Sequence, residues 1–512
     1  MIGTSIPQYI FIRLCILALR LITPLSIFYV SFSLADHPTS VGGRFLLTWS
    51  IIEAAFWLLV YIPRKRTLQH AAQHPPLLAK EERKALFWKL WDKIPHPEYY
   101  VSRWFLGARA GEVRRENVKE FFEWALLNRG TESEDELVRR AQEDPEAKIE
   151  EEAELKEYVD GMETMLGRPL LPGRGPAKSL RLTIDEVNMR HRPVVWYLIV
   201  MLVDTLTAAY LRYSGFLLHR TSLRSSLAIF PPRPASLLTR NISSAPDLSY
   251  WYRPHTSKTR LPIVFLHGIG IGLMPYSKWL SDINKEDPLG PSDGSIGILA
   301  IELMPISFRI TRPLPSPESL VHQINSILTH HGLSRVVLSA HSYGTVLAAH
   351  LLKSPLTAPK IGPTLFIDPI PFLLHLPDVA YNFTARRPRY ANEHQLWYFA
   401  SMDMMVAYTL ARGFFWASNV LWKEDLRGKR VTVSLGGRDL IVDTESVGRY
   451  VAGVDLKSED SAWKDKEWGG EGIETLWWPT ADHAQVFERS EGRQKLAHVL
   501  REYAKTVDAD WP

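Results

Sequence analysis

From residue 245 onward, short apolar runs alternate with stretches of helical spacing. Leu261–His267 and Ile296–Glu302 are near-continuous apolar runs, as expected of strands buried on both faces. Pro317–His331 has apolar residues three and four apart and predicts a helix. Arg335–Ala340 predicts a strand that feeds a helix over Gly344–Lys353. Thr364–Ile367, Arg430–Leu435 and Thr475–Trp478 predict three more strands, with helices near Glu445–Val451 and Gly492–Thr506. Repeated strand-then-helix order predicts an α/β fold, a mostly parallel sheet with helices on both faces. Chemistry in such sheets gathers at the carboxyl ends of the strands.

The N-terminus carries a different pattern. Leu21–Ala35 is apolar apart from hydroxyls, and follows Leu14–Leu19 and Arg20. Arg13 and Arg20 share one helix face, from which both can snorkel to an interface. A second run covers Leu46–Ile62, with Glu53 inside it and Arg64, Lys65 and Arg66 directly after. The two runs predict a membrane-anchoring hairpin over residues 1–66, basic end toward the cytosol. A cleaved signal ending near Ser33-Leu34-Ala35 and a buried helical hairpin are the competing readings. A third run, Val194–Val203, stops at Asp204 and continues as an amphipathic stretch. Pro193–Leu218 therefore reads as an interfacial helix, with a third transmembrane helix as the alternative. That segment and its linker occupy residues 186–244.

Residues 67–185 form a charged helical region, with stripes at Leu86/Phe87, Leu90/Trp91 and Ile94, and again at Val118, Phe121/Phe122 and Ala125/Leu126. Thr131–Asp160 is acidic and reads as a solvated helix or spacer. The balance of 60 Lys+Arg against 56 Asp+Glu leaves a charge of +4, too small on 512 residues to suggest a nucleic-acid partner. A lone cysteine excludes a disulfide framework and a cysteine metal site. No metal-ligand spacing appears among the histidines, so neither metal nor cofactor is expected.

Two motifs carry candidate chemistry. Ala340-His341-Ser342-Tyr343-Gly344 lies between a strand and a small-residue helix, so Ser342 would sit on a strained turn with its hydroxyl exposed. The Tyr343 backbone N–H and the helix dipole would then face a developing oxyanion. The second motif, His267-Gly268-Ile269-Gly270-Ile271-Gly272, ends the first strong strand. The Ile269 N–H is the candidate second oxyanion donor. Leu273 takes the place of the third glycine of a dinucleotide fingerprint, which argues against nucleotide binding.

On these two motifs, the segment from about Pro262 to Ala509 resembles the α/β-hydrolase fold superfamily. Ala340 replaces the first glycine of the G-x-S-x-G pattern, a small residue that keeps the packing. The resemblance implies a nucleophile, an acid and a histidine in that chain order. Ser342 would be the nucleophile. Asp439, in Gly437-Arg438-Asp439-Leu440 after a strand, would be the acid, with Asp368 as runner-up. Asp443 would be a helix cap or a solvent-facing residue. His483, in Ala481-Asp482-His483-Ala484, would be the base. His267, Gly268 and His341 would shape the substrate pocket.

The hydrolase domain would span residues 245–512, with a lid inserted at about 369–427. That insertion is rich in Met and aromatic residues, among them Met402, Met404, Met405, Phe414, Phe415 and Trp416, which either suit a hydrophobic acyl or lipid-like substrate or simply pack the lid onto the core. In overall style the chain resembles membrane-tethered α/β-hydrolase-like proteins of fungi. The implied function is a membrane-anchored serine esterase or lipase acting on a hydrophobic ester beside membrane lipid, at the endoplasmic reticulum or another endomembrane. An acyltransferase using the same residues, or a non-catalytic membrane protein retaining the fold, are the alternatives.

Overall fold

The computed structural model describes residues 2–130, 144–285 and 293–505. The strands β1 (Leu217–His219), β2 (Ser249–Arg253), β3 (Ile263–Leu266), β4 (Ile298–Glu302), β5 (Val336–His341), β6 (Ile361–Ile367), β7 (Val431–Gly436) and β8 (Ile473–Trp478) form one sheet. Its order is β1-β2-β4-β3-β5-β6-β7-β8. β2 pairs antiparallel with β1 and β4, and all other neighbours are parallel. β3 to β7 are buried at every position, which is why they read as continuous apolar runs. Side chains alternate between two cores: Val264 and Leu266 pack into one, Ile263 and Phe265 into the other. This is the α/β-hydrolase architecture, with apolar helices preceding it.

The longer helices are α1 (Ile6–Ser33), α2 (Val41–Phe56), α3 (Lys80–Trp91), α4 (Pro97–Trp104), α5 (Arg115–Leu127), α6 (Pro145–Leu166), α7 (Val194–Tyr213), α8 (Pro317–His330), α9 (Gly344–Lys353), α10 (Met404–Arg412), α11 (Thr444–Ala452) and α12 (Ser490–Ala504). Helices α8 and α9 cover one face of the sheet, and α12 with Ser277–Asp282 the other. Two sequence expectations change here. Pro193–Leu218 is not one helix: α7 ends at Tyr213, and Leu217–His219 pairs with β2 as an edge strand. The acidic stretch is not wholly solvated either. Residues 131–143 lie outside the described residues, but α6 buries Leu155, Tyr158, Val159 and Met162. Its Glu154 holds Arg83 of α3 at 2.6 and 2.8 Å, both side chains being buried.

Helices α1, α2 with its continuation to Thr67, and α7 are long and apolar enough to cross a membrane. The buried Glu53, unusual inside an apolar run, accepts hydrogen bonds from the Thr23 hydroxyl (2.7 Å) and the Val194 N–H (2.8 Å). Val194 is the first residue of α7, whose leading amides have no partner within their own helix. Glu53 therefore caps α7 at the positive end of its dipole and ties it to the hairpin.

Farther along α7, Asp204 enters a buried charge network. Arg233 donates to both oxygens of Asp204 (3.1 and 3.2 Å) and to both oxygens of Glu302 at the end of β4 (2.8 and 2.6 Å). Arg309 adds a second contact to Asp204 at 3.1 Å. Arg233→Met leaves two carboxylates without their shared cation. The expected loss is about 3–5 kcal/mol, read as a lower melting temperature of the full-length protein in detergent. Adding Glu302→Gln to that variant is expected to recover part of the loss, since one of the stranded charges is then gone.

Candidate active site

β5 ends at His341 and α9 begins at Gly344, leaving Ser342 at φ +51° in the left-handed region. A non-glycine residue held there costs on the order of 1–3 kcal/mol. Two glycines make the turn possible. A Cβ on Gly344 would lie 2.4 Å from the Leu266 carbonyl oxygen, so only glycine lets α9 start against β3. A Cβ on Gly268 would lie 2.7 Å from the Cβ of Ser342. The turn projects the Ser342 hydroxyl to within 2.9 Å of His483 Nε2.

His483 sits in the loop after β8. Its Nδ1 lies 2.7 Å from Asp439 Oδ2. Asp439 is fixed by its other oxygen, which accepts the Ile441 and Val442 amides at 2.8 and 3.0 Å. Ser342, His483 and Asp439 thus form one chain of hydrogen bonds assembled from the carboxyl ends of β5, β8 and β7. The Ile269 and Tyr343 amides flank the serine, and neither donates to a protein acceptor among the described residues.

The other expected residues are placed differently. His267, Gly268 and His341 do not line the cavity. His267 is fully buried and its Nε2 accepts the Leu303 N–H at 2.9 Å, which holds the chain after β4. His341 points beneath the turn, its Nδ1 2.8 Å from the Tyr276 hydroxyl, which in turn accepts the Gly268 N–H at 3.3 Å. These residues support the turn from behind, because β5 side chains alternate and His341 faces the opposite way from the serine. Asp443 caps α11 by accepting the Ser446 N–H.

Asp368, the runner-up acid, stands behind the histidine without touching it as a partner. Its oxygens accept the Gly436 N–H (3.2 Å) and the Ala484 N–H (2.7 Å), and His341 Nε2 lies 3.7 Å away. A third carboxylate, Asp482, accepts the His483 N–H (2.7 Å), the Leu440 N–H (3.1 Å) and the Asn392 side-chain amide (2.7 Å). Asn392 and Asp482 carry no motif of their own; only chain adjacency to His483 marks the latter. Asp368, Asp439 and His483 bring potential ligand atoms within 4.8 Å of one another, and two of these, His483 Nδ1 and Asp439 Oδ2, face each other at 2.7 Å.

Charge dominates the behaviour of this histidine. Burial alone would push the His483 pKa down, but the Asp439 carboxylate outweighs it, and Asp368 and Asp482 add to the effect. The result is pushed up to about 9. Asp368 is pulled the other way: burial would raise its pKa, but His341 and His483 hold it below the usual carboxylate range. The proton-accepting form of His483 therefore becomes available only as pH rises from 7 toward 9. Any rate that needs the neutral imidazole of His483 is expected to rise over that interval. In Asp368→Asn the rise is expected to begin at lower pH, because one of the carboxylates stabilising the imidazolium is gone. A pH–rate profile of both proteins checks this.

Above Ser342 lies an apolar cavity of about 250 Å³. Ser342, Tyr343 and Ile269 meet Phe383, Leu410, Phe414 and Trp416 of the insertion there, together with Leu77, Leu86, Trp104 and Trp124 of the helical region. Its charged lining residue, Arg83, is already paired with Glu154. Met402, Met404 and Met405 are buried elsewhere and pack the insertion, so its aromatic and leucine residues face the cavity while these methionines do not. The helical region is joined to the insertion through Trp104 Nε1 to the His375 carbonyl (3.2 Å) and Trp416 Nε1 to the Ala125 carbonyl (3.0 Å).

No protein-family model matches the chain, and no curated protein matches it in sequence. Among solved structures it is similar to a membrane phospholipase A described as a bacterial virulence factor, at 13% identity and a TM-score of 0.37, over 60% of this chain and 94% of that one. It is also similar to a carboxylesterase of the ammonia-oxidizing thaumarchaeon Nitrososphaera gargenis, at 16% identity and a TM-score of 0.34, over 51% and 97% of the two chains. A third is the carboxylesterase CesB of Bacillus subtilis, at 11% identity and a TM-score of 0.33, over 59% and 98%.

Proposed function

We propose that the chain is a membrane-associated serine hydrolase that cleaves hydrophobic carboxylic esters through an acyl-enzyme on Ser342. The observation that carries this reading is the hydrogen-bond chain from Ser342 through His483 to Asp439, opening on an apolar cavity. His483 Nε2 takes the serine proton as Oγ attacks the ester carbonyl, and Asp439 stabilises the resulting imidazolium. The Ile269 and Tyr343 amides donate to the oxyanion. The proton then passes to the departing alcohol. Water, deprotonated by the same histidine, attacks the acyl-enzyme and releases the acid. The cavity wall offers no free charge to an acyl chain, which favours an apolar substituent over a charged one. The α1–α2 hairpin holds this cavity close to lipid-soluble substrates.

The test is labelling of the full-length protein with a fluorophosphonate, followed by hydrolysis of p-nitrophenyl esters of increasing chain length. Labelling, with kcat/KM rising from acetate to medium-chain esters, is the expected result. Folded protein that does not label would overturn the proposal. Product analysis with added alcohol separates hydrolysis from acyl transfer.

A further inference from the structure

Helix α7 has the length and hydropathy of a membrane span, yet its packing is one-sided. At 3.6 residues per turn, Tyr197, Val200, Asp204, Ala208 and Leu211 form one stripe, and all turn toward the hydrolase domain. Tyr197 and Val200 join one core of the sheet, Ala208 and Leu211 the other. Between them Asp204 is held by Arg233 and Arg309. The helix is thus fastened along about 21 Å of its length to the domain that carries the sheet. A bilayer crossing by α7 would require that domain to enter the membrane with it.

The opposite stripe is apolar and exposed: Leu198, Leu202, Leu206 and Tyr213 are 39%, 57%, 61% and 90% exposed. The short helix Pro234–Leu238 packs beside α7 and adds Leu237 and Leu238, 52% and 84% exposed. Along the chain that follows Asp204, charge has one sign. From Thr205 to Pro246 the chain has five arginines and no acidic residue, and Arg212, Arg224 and Arg240 are exposed.

We propose that the outer face of α7, with Leu237 and Leu238, is a monotopic docking surface that lies in one leaflet of an anionic membrane. Leucines enter the acyl region while the arginines meet lipid phosphates. Two observations favour lipid over a protein occupant. The exposed Arg212, Arg224 and Arg240 complement an anionic headgroup layer. The surface is also continuous with the apolar hairpin, because Glu53 of α2 caps the first turn of α7. The reading does not depend on the chemistry assigned to Ser342.

The test uses the full chain with Cys15→Ser and single cysteines, Leu202→Cys, Leu206→Cys or Leu238→Cys, each carrying an environment-sensitive fluorophore. The protein is reconstituted in phosphatidylcholine vesicles with and without phosphatidylserine. A blue shift, quenching by lipid-borne spin labels and loss of iodide quenching are expected at all three positions. The effect is expected to be larger with phosphatidylserine and smaller in Arg212→Glu/Arg240→Glu. An impermeant maleimide is expected to reach Thr67→Cys and Tyr213→Cys from the same side of the vesicle. Three results would overturn the proposal: iodide access unchanged by lipid, cross-linking of these cysteines between two copies, or Thr67→Cys and Tyr213→Cys labelling from opposite sides.

Discussion

Ser342→Ala is expected to lower kcat for ester hydrolysis by about 10⁶-fold and to abolish fluorophosphonate labelling. The size follows from what is removed. Its hydroxyl is the group that His483 Nε2 faces at 2.9 Å, so without it the relay ends on nothing that can form an acyl-enzyme. Residual turnover would come from the oxyanion amides and from substrate binding alone. The fold is expected to persist, because the hydroxyl bonds to the histidine and the turn is held by Gly344 and Gly268. Ser342→Gly provides the control. It is expected to be equally inactive but more stable, by about 1 kcal/mol, because a glycine adopts φ +51° without strain. Melting curves of the three proteins in the same detergent distinguish loss of chemistry from loss of structure.

The parallel part of the sheet was readable because its strands are buried on both faces and leave unbroken Val, Ile and Leu runs between turns. The antiparallel edge was not. Leu217–His219 has three residues, too few to show a period, and it follows an amphipathic helix whose apolar pattern it continues. Ser249–Arg253 is aromatic and short, and its pairing with β4 is a long-range event that no local window contains. The burial of helix α6 escapes a local pattern for a related reason. Glu154 counts as polar in any local reading, but a guanidinium 71 residues away makes it a buried partner.

At the site, motif and chain order marked the residues that now stand within hydrogen-bond distance of one another. What they could not mark is depth. His267 and His341 flank the motifs in sequence, but strand alternation turns them away from the cavity and into the support beneath the serine. Conversely, much of the cavity wall comes from residues 74–128, a region whose stripes showed that it packs without showing on what.

Asp439→Asn is expected to lower kcat by about 10⁴-fold, with little change in melting temperature. An asparagine keeps the shape, and its amide oxygen can still accept the Ile441 and Val442 N–H groups, but the amide nitrogen would then face His483 Nδ1 as a donor. That favours the tautomer with the proton on Nε2, the nitrogen that must accept from Ser342. The two remaining carboxylates do not replace the lost one. Asp368 is committed to Gly436 and Ala484, and Asp482 to His483's own backbone and Asn392, so neither can turn to Nδ1 without breaking a buried hydrogen bond. Their charge still favours the imidazolium, so the residual activity is expected to keep its rise with pH, with the midpoint moved to lower pH. Activity near wild type in Asp439→Asn, together with collapse in Asp368→Asn, would mean that the acid of this site follows β6 and not β7. Measured side by side, the two variants therefore assign the acid independently of any distance.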